Sequence, residues 1–174
     1  MPRPLSRLLL LAAAALLLAC GAPSRGDARG KRPPVRPQKI QEKVQVTLPD
    51  GLVVKAELAD DPAERAIGLM GREDVPEGKG MLFVLESAGH SPFYMKGMLT
   101  SIDILWLSEE AGGGRVVHIA RQAQPCEKDP CPNYFPALAA RYVLELRAGA
   151  ADRHGAQEGA LVRFTLPAPV PPAR

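Results

Sequence analysis

Apolar and polar residues alternate with period two through Val44-Gln45-Val46-Thr47-Leu48, the spacing of a strand with one buried face. Pro49-Asp50-Gly51 is a turn signal, and the run from Leu52 to Ala59 follows it, so the two runs predict a β-hairpin. The pattern then changes. Asp61-Pro62-Ala63-Glu64 offers an N-cap Asp, Pro at the first helical position and Glu three residues after the cap. It predicts a helix over 61–70, stopped by Gly71. Apolar runs at 80–85, 92–95, 102–107, 115–120, 141–146 and 160–166 predict further strands, with Gly112-Gly113-Gly114 as a hairpin loop between two of them. Ala150 to His154, ended by Gly155, has room for a helical turn or two. The expected fold is mostly β, a β-sandwich or partly closed barrel with one short helix.

The N-terminus obeys another pattern. Arg3 and Arg7 precede an unbroken apolar run, Leu8 to Ala19, which is too short to span a bilayer and fits a signal peptide over residues 1–19. Leu17-Leu18-Ala19-Cys20 resembles the lipobox of bacterial lipoproteins: a small residue before the cut, then a thiol to take the diacylglycerol. Cys20 is therefore the expected lipidation site, and membrane lipid the expected partner. No Asp follows Cys20, which by analogy with other lipoproteins points to the outer membrane, on its periplasmic face.

Charge divides the mature chain. Residues 21–43 hold seven Lys/Arg against Asp27 and Glu42, whereas residues 44–174 hold 13 Lys/Arg against 17 Asp/Glu. The pI near 8.9 thus belongs to the leader and to a Pro-rich segment, not to the folded body, and gives no argument for nucleic-acid binding. Residues 20–43 read as an extended basic tether, residues 44–166 as a single β domain, and residues 167–174 as a frayed Pro-rich tail.

Several blocks resemble the domain-of-unknown-function 192 family. They are Glu57 to Arg72, Gly78 to Val84, Phe93-Tyr94-Met95-Lys96, Ile102 to Leu107, Cys126 to Pro132, and Ala140 to Leu146 with Gly149 onward. Together they span roughly residues 45–166. The resemblance implies an exported protein with a small jelly-roll-like β-sandwich and one helix against it, and no settled activity. Relatives commonly carry Asn and Thr where this chain has Gly97 and Met98.

Three constellations could carry chemistry. Cys126 and Cys131 are an even pair in a proline-stiffened loop. A structural disulfide is the first reading in an oxidising compartment; a metal or redox pair is the alternative, against which the four-residue spacing counts. Met70, Met81, Met95 and Met98, with His90 and His118, offer soft ligands for copper(I). Met70 and Met81 sit at core-like positions, which leaves Met95, Met98 and His118 as the metal candidates.

Arg65, Met95, Lys96 and Asp103 are candidate ligand-binding residues. Asp103 interrupts an apolar strand on the face of Leu105 and Leu107, so it must be paired if buried. A salt bridge or cap with Arg65 or Lys96 competes with a polar ligand pocket. No Gly-x-Ser-x-Gly, His-Glu-x-x-His or phosphate-binding glycine loop is present, and no cofactor or catalytic residue is implied. The expected role is a non-catalytic envelope module binding a small molecule, a glycan or another envelope protein. Copper handling and an unrecognised enzyme are the alternatives.

Overall fold

The computed structural model describes residues 35–168 of the 174. The leader, Cys20, the first part of the tether and the end of the tail lie outside the described residues.

Among the described residues nine strands and two short helices follow one another: β1 Lys43–Thr47, β2 Val53–Ala59, α1 Pro62–Ile67, β3 Lys79–Gly89, β4 Phe93–Tyr94, β5 Ile102–Glu110, β6 Gly113–Ala123, β7 Asn133–Tyr134, β8 Ala140–Arg147, α2 Ala150–Arg153 and β9 Leu161–Arg163. Seven strands close into a barrel in the order β1-β2-β3-β8-β5-β6-β9, while β4 and β7 form a separate pair. Of the two expected architectures the chain adopts the barrel. Its seam is short, Thr47 of β1 lying opposite Arg163 of β9.

One connection sets the rest. β2 and β3 run parallel, so the chain must return along the barrel between them, and residues 60–78 make that crossover. The crossover and the loops after β3 lie over the outer face of β3, β8 and β5. These central strands are thereby buried on both faces, which is why Ile102 to Leu107 is continuously buried rather than alternating. Two apolar cores result. The inner one fills the barrel with residues such as Val46, Val54, Leu82, Leu105, Leu144 and Val162. The outer one holds Met81, Phe83, Ile104, Trp106 and Val143 beneath Leu69, Met95 and Met98.

The helix is shorter than expected. It ends at Ile67 because Gly68 takes a positive φ of 54°, and residues 68–71 continue as turns. Asp61 caps it as predicted, accepting from the Glu64 amide at 2.9 Å.

The tether boundary also moves. Residues 35–42 are docked: Gln38 Nε2 donates to the carbonyls of Glu64 and Gly68, both at 2.9 Å, and Ile40 is buried. One apolar side chain and one side-chain amide, placed against the exposed carbonyls at the end of α1, suffice to hold an otherwise polar segment. The tether reading applies at most to residues 20–34.

At one end of the barrel His154 joins three segments. Its Nδ1 lies 2.7 Å from Asp50 Oδ2 and its Nε2 lies 2.6 Å from Glu77 Oε1, so only the doubly protonated ring donates to both. The Asp50 hydrogen bond, then that of Glu77, raises the His154 pKa above its ordinary 6.5. The Leu52 amide, then His154, lowers that of Asp50, and His154 lowers that of Glu77. The cluster therefore stabilises the fold between these ranges. Its contribution is lost as pH rises through the raised histidine value, or falls through the lowered carboxylate values. His154→Gln should accordingly lose less melting temperature than the native chain between about pH 5.5 and pH 8.5, as read by thermal unfolding.

Candidate functional site

A cavity of about 320 Å³ opens between α1 and the outer face of the barrel. Its walls are largely apolar, with Ile67, Met70 and Met98 on one side and Phe83, Phe93 and Tyr94 on the other. The aromatic wall is braced from behind: Phe83 and Phe93 meet edge to face with ring centroids 5.0 Å apart, and Phe93 meets Trp106 at 5.9 Å. Trp106 Nε1 in turn donates to the carbonyl of Ser91, another lining residue, at 3.2 Å.

Two charged residues border this space. Arg65, on α1, donates to the carbonyls of Asp60 and Val84 and forms a 2.7 Å ion pair with Glu86. It fastens the helix to β3 and stands at the edge of the cavity. The second is Glu145 of β8. Strand register places Glu57, Met81, Glu145 and Ile104 in one row across the outer face of the barrel. On an exposed sheet that face would be wet; here the crossover covers it, and Glu145 is 6% exposed. Its Oε2 has no hydrogen-bond partner among the described residues.

The two acids of this row are treated differently. Burial works against the charge of Glu57, but Arg72 holds it in a double hydrogen bond, 2.8 Å from Nη1 and 2.7 Å from Nη2, and keeps its pKa below the ordinary range. Glu145 has only the more distant field of Arg72, so burial dominates and pushes its pKa up to about 8. A carboxyl in an apolar cleft with a strongly shifted pKa and an unfilled oxygen is a candidate functional position. Gly68 forms the adjoining wall: a Cβ there would stand 3.2 Å from the Phe83 ring and 4.0 Å from Glu145 Oε2.

The residues singled out in the sequence fall in different places. Asp103 is fully buried, yet neither Arg65 nor Lys96 is its partner. Its Oδ1 accepts from the Gln122 amide at 2.8 Å and its Oδ2 from the Ala151 amide at 2.9 Å. The second bond caps α2, whose own N-cap, Gly149, has no side chain to do so. The first holds a bulge in β6 where Gln122 takes a φ of 49°. Both oxygens are engaged in holding the fold, and Asp103 does not line the cavity.

Lys96 is also elsewhere. It pairs with Asp129 at 2.8 Å on the surface, joined to the cysteine loop by a bridge between Lys96 and Cys126. Met95 is packed in the outer core, whereas Met98 reaches the cavity. His118 faces Glu158 at 3.3 Å and lies against Trp106 with ring centroids 5.6 Å apart. Cys126 and Cys131 are joined in a disulfide, which withdraws their thiolates from any metal set. Among the described residues no three His, Cys, Asp or Glu side chains are grouped to hold a metal ion. The disulfide closes a short loop, so its reduction should cost about 2 kcal/mol, measured by urea unfolding with and without reductant.

Of the residues singled out in the sequence, Arg65, Met70 and Met98 border the cavity. Glu145 was not a sequence candidate, because alternation with Leu144 and Leu146 reads as an ordinary solvent face. The available signal was the unbroken apolar run of β5 beside it, which implies burial on both faces.

Fold and site together define a small, mostly β protein: a closed seven-stranded barrel carrying a lateral cavity on its covered face. The chain belongs to the DUF192 family, an uncharacterized ACR, matched over residues 44–164. Two crystal structures are similar. A protein of unknown function from Novosphingobium aromaticivorans DSM 12444 shares 31% identity with a TM-score of 0.61, over 70% of this chain and 83% of that one. A "putative transcription regulator" from Sinorhizobium meliloti 1021 shares 27% identity with a TM-score of 0.61, over 73% of this chain and 97% of that one. No curated protein matches the chain.

Proposed function

We propose that this protein is a non-catalytic binding module of the bacterial envelope, anchored through lipidated Cys20, and that a small molecule enters the cavity beside Glu145. One observation carries the reading: Glu145, buried and with a carboxyl oxygen that has no partner among the described residues, lines an otherwise apolar cleft. An unpaired buried polar atom costs about 1–3 kcal/mol. A fold that retains one beside a cavity leaves a hydrogen bond for a ligand to complete. The remaining charge at the rim is already engaged, since Arg65 serves the attachment of α1. Met98, where relatives commonly carry Thr, makes this part of the wall apolar and favours a ligand with a hydrophobic body. Placement in the envelope rests on the leader and on Leu17-Leu18-Ala19-Cys20.

Trp106 is the single tryptophan of the chain and touches Phe93, so its emission reports on the cavity wall. A panel of small aromatic compounds titrated into the full chain should contain members that shift Trp106 emission and raise the melting temperature together. Ala66→Leu, which adds bulk without a second indole at an exposed helix position on the cavity mouth, should abolish both responses. Responses that survive Ala66→Leu place binding elsewhere and sink this reading.

A further inference from the structure

We propose that the ligand of this cavity is an organic amine, its ammonium group meeting Glu145 and its apolar body filling the space between α1 and the aromatic wall. The inference rests on reading the cavity as a binding site and specifies what the site takes.

Among the described residues no donor reaches Glu145. Arg72 gives both terminal nitrogens to Glu57, its buried Nε makes no hydrogen bond, and it does not line the cavity. Arg65 is held by Glu86 and by the carbonyls of Asp60 and Val84. The residues flanking Glu145 on the neighbouring strands, Met81 and Ile104, are apolar and offer no donor. Glu145 therefore lines the cavity with a buried carboxyl whose Oε2 has no hydrogen-bond partner among the described residues.

The walls suit a cation as well. Aromatic faces attract ammonium groups, more strongly once both are desolvated, and Phe83, Phe93 and Tyr94 all line the space. The thioethers of Met70 and Met98 are soft, weak acceptors that carry no opposing charge. An anionic ligand finds the reverse: an acid on the wall and aromatic π faces around it. The volume of about 320 Å³ is at the small end for ligand pockets and matches a one-ring amine or a short branched one.

Binding then moves a proton. At neutral pH burial keeps Glu145 largely protonated, since its pKa is raised to about 8. When the ammonium arrives, the Glu145 O–H bond breaks, the proton leaves to solvent and the carboxylate pairs with the ligand. The charged groups facing this event are Arg72 behind Glu145, with Glu57 as its partner, and Arg65 with Glu86 at the rim. Both pairs are internally neutral, so they leave the new charge to be balanced by the amine.

Benzylamine, benzyl alcohol and benzoate present one ring with a cation, a neutral donor–acceptor and an anion. Each would be titrated into the full chain by calorimetry in two buffers of different ionisation enthalpy, with the Gly68 amide followed by NMR as the marker of the cavity. Benzylamine should bind at least about tenfold tighter than the other two, with close to one proton released per molecule near pH 7. Glu145→Gln should remove both the preference and the proton release. Tyr94→Ala, at a half-exposed rim position, should weaken benzylamine several-fold in a chain that still folds. Benzyl alcohol or benzoate binding as tightly, with shifts at Gly68, overturns the amine and leaves the cavity a binding site for acceptors of the protonated Glu145. Benzylamine binding that Glu145→Gln does not change overturns it too. No shift at Gly68 with any probe removes the binding site itself, and the amine with it.

Discussion

Glu145→Gln should make the protein more stable as pH rises, by up to about 5 kcal/mol above pH 8, while changing it by no more than about 1 kcal/mol near pH 4. The reason is linkage. An acid whose pKa is about 8 in the fold and 4.5 when unfolded binds more protons in the native state between those values. Stability is therefore unaffected below pH 4.5 and falls as pH rises, by about 1.4 kcal/mol per unit, until Glu145 has ionised. Glutamine carries no proton to lose, so its profile should be flatter through that window. Urea unfolding of both forms from acid to alkaline pH measures this directly. Parallel profiles would mean that Glu145 is solvated or paired in solution. The effect is large against the 5–15 kcal/mol typical of a domain. His154 acts in the same direction above its own raised pKa, so comparing the Glu145→Gln and His154→Gln profiles separates the two. An amine at the site should also flatten the native profile, because it supplies the missing counter-charge.

Asp103→Ala should destabilise the domain by about 3–5 kcal/mol, close to the largest loss a single buried substitution causes. Two backbone amides, Gln122 and Ala151, would each lose their acceptor in a place that water does not reach freely. The α2 helix would lose its only side-chain cap, and with it part of the closure that Ala150 and Ala151 provide over the inner core. Asp103→Asn keeps one acceptor oxygen but points an NH₂ at the other amide, so about half that loss is expected. Urea unfolding gives the magnitude, and hydrogen exchange at Ala151 locates it. Intact stability with lost ligand binding would instead assign Asp103 to a ligand. Its separation from the cavity argues for the structural outcome.

These two acids show how far the chain could be read without its structure. Both interrupt apolar strands, and alternation places Asp103 on the face of Leu105 and Leu107, where it is in fact buried. Its partners could not be read, because Gln122 and Ala151 are backbone donors brought to it by a bulge and by a helix 48 residues away. For Glu145, alternation with Leu144 and Leu146 would by itself put the side chain in solvent, but the face opposite the inner core is covered by residues 60–78, and nothing in β8 itself records that cover. Lys96 paired with the cysteine loop rather than with Asp103 for the same reason: side-chain type names the chemistry available, not the neighbour.

By itself the sequence determined the elements. Period-two runs set most strands to within a few residues, Asp61 and Pro62 started the helix, and two cysteines in one stiff loop favoured each other. Each is a local property, decided by backbone preference and by residues near in the chain. The tertiary structure alone decided that the strands close into a barrel, that a parallel crossover buries its outer face, and that Glu145 loses water there without gaining a partner. Those outcomes depend on which distant segments meet. Burial and pairing are properties of the space between elements, and for Glu145 that space is what changes an ordinary strand residue into a buried acid beside a cavity.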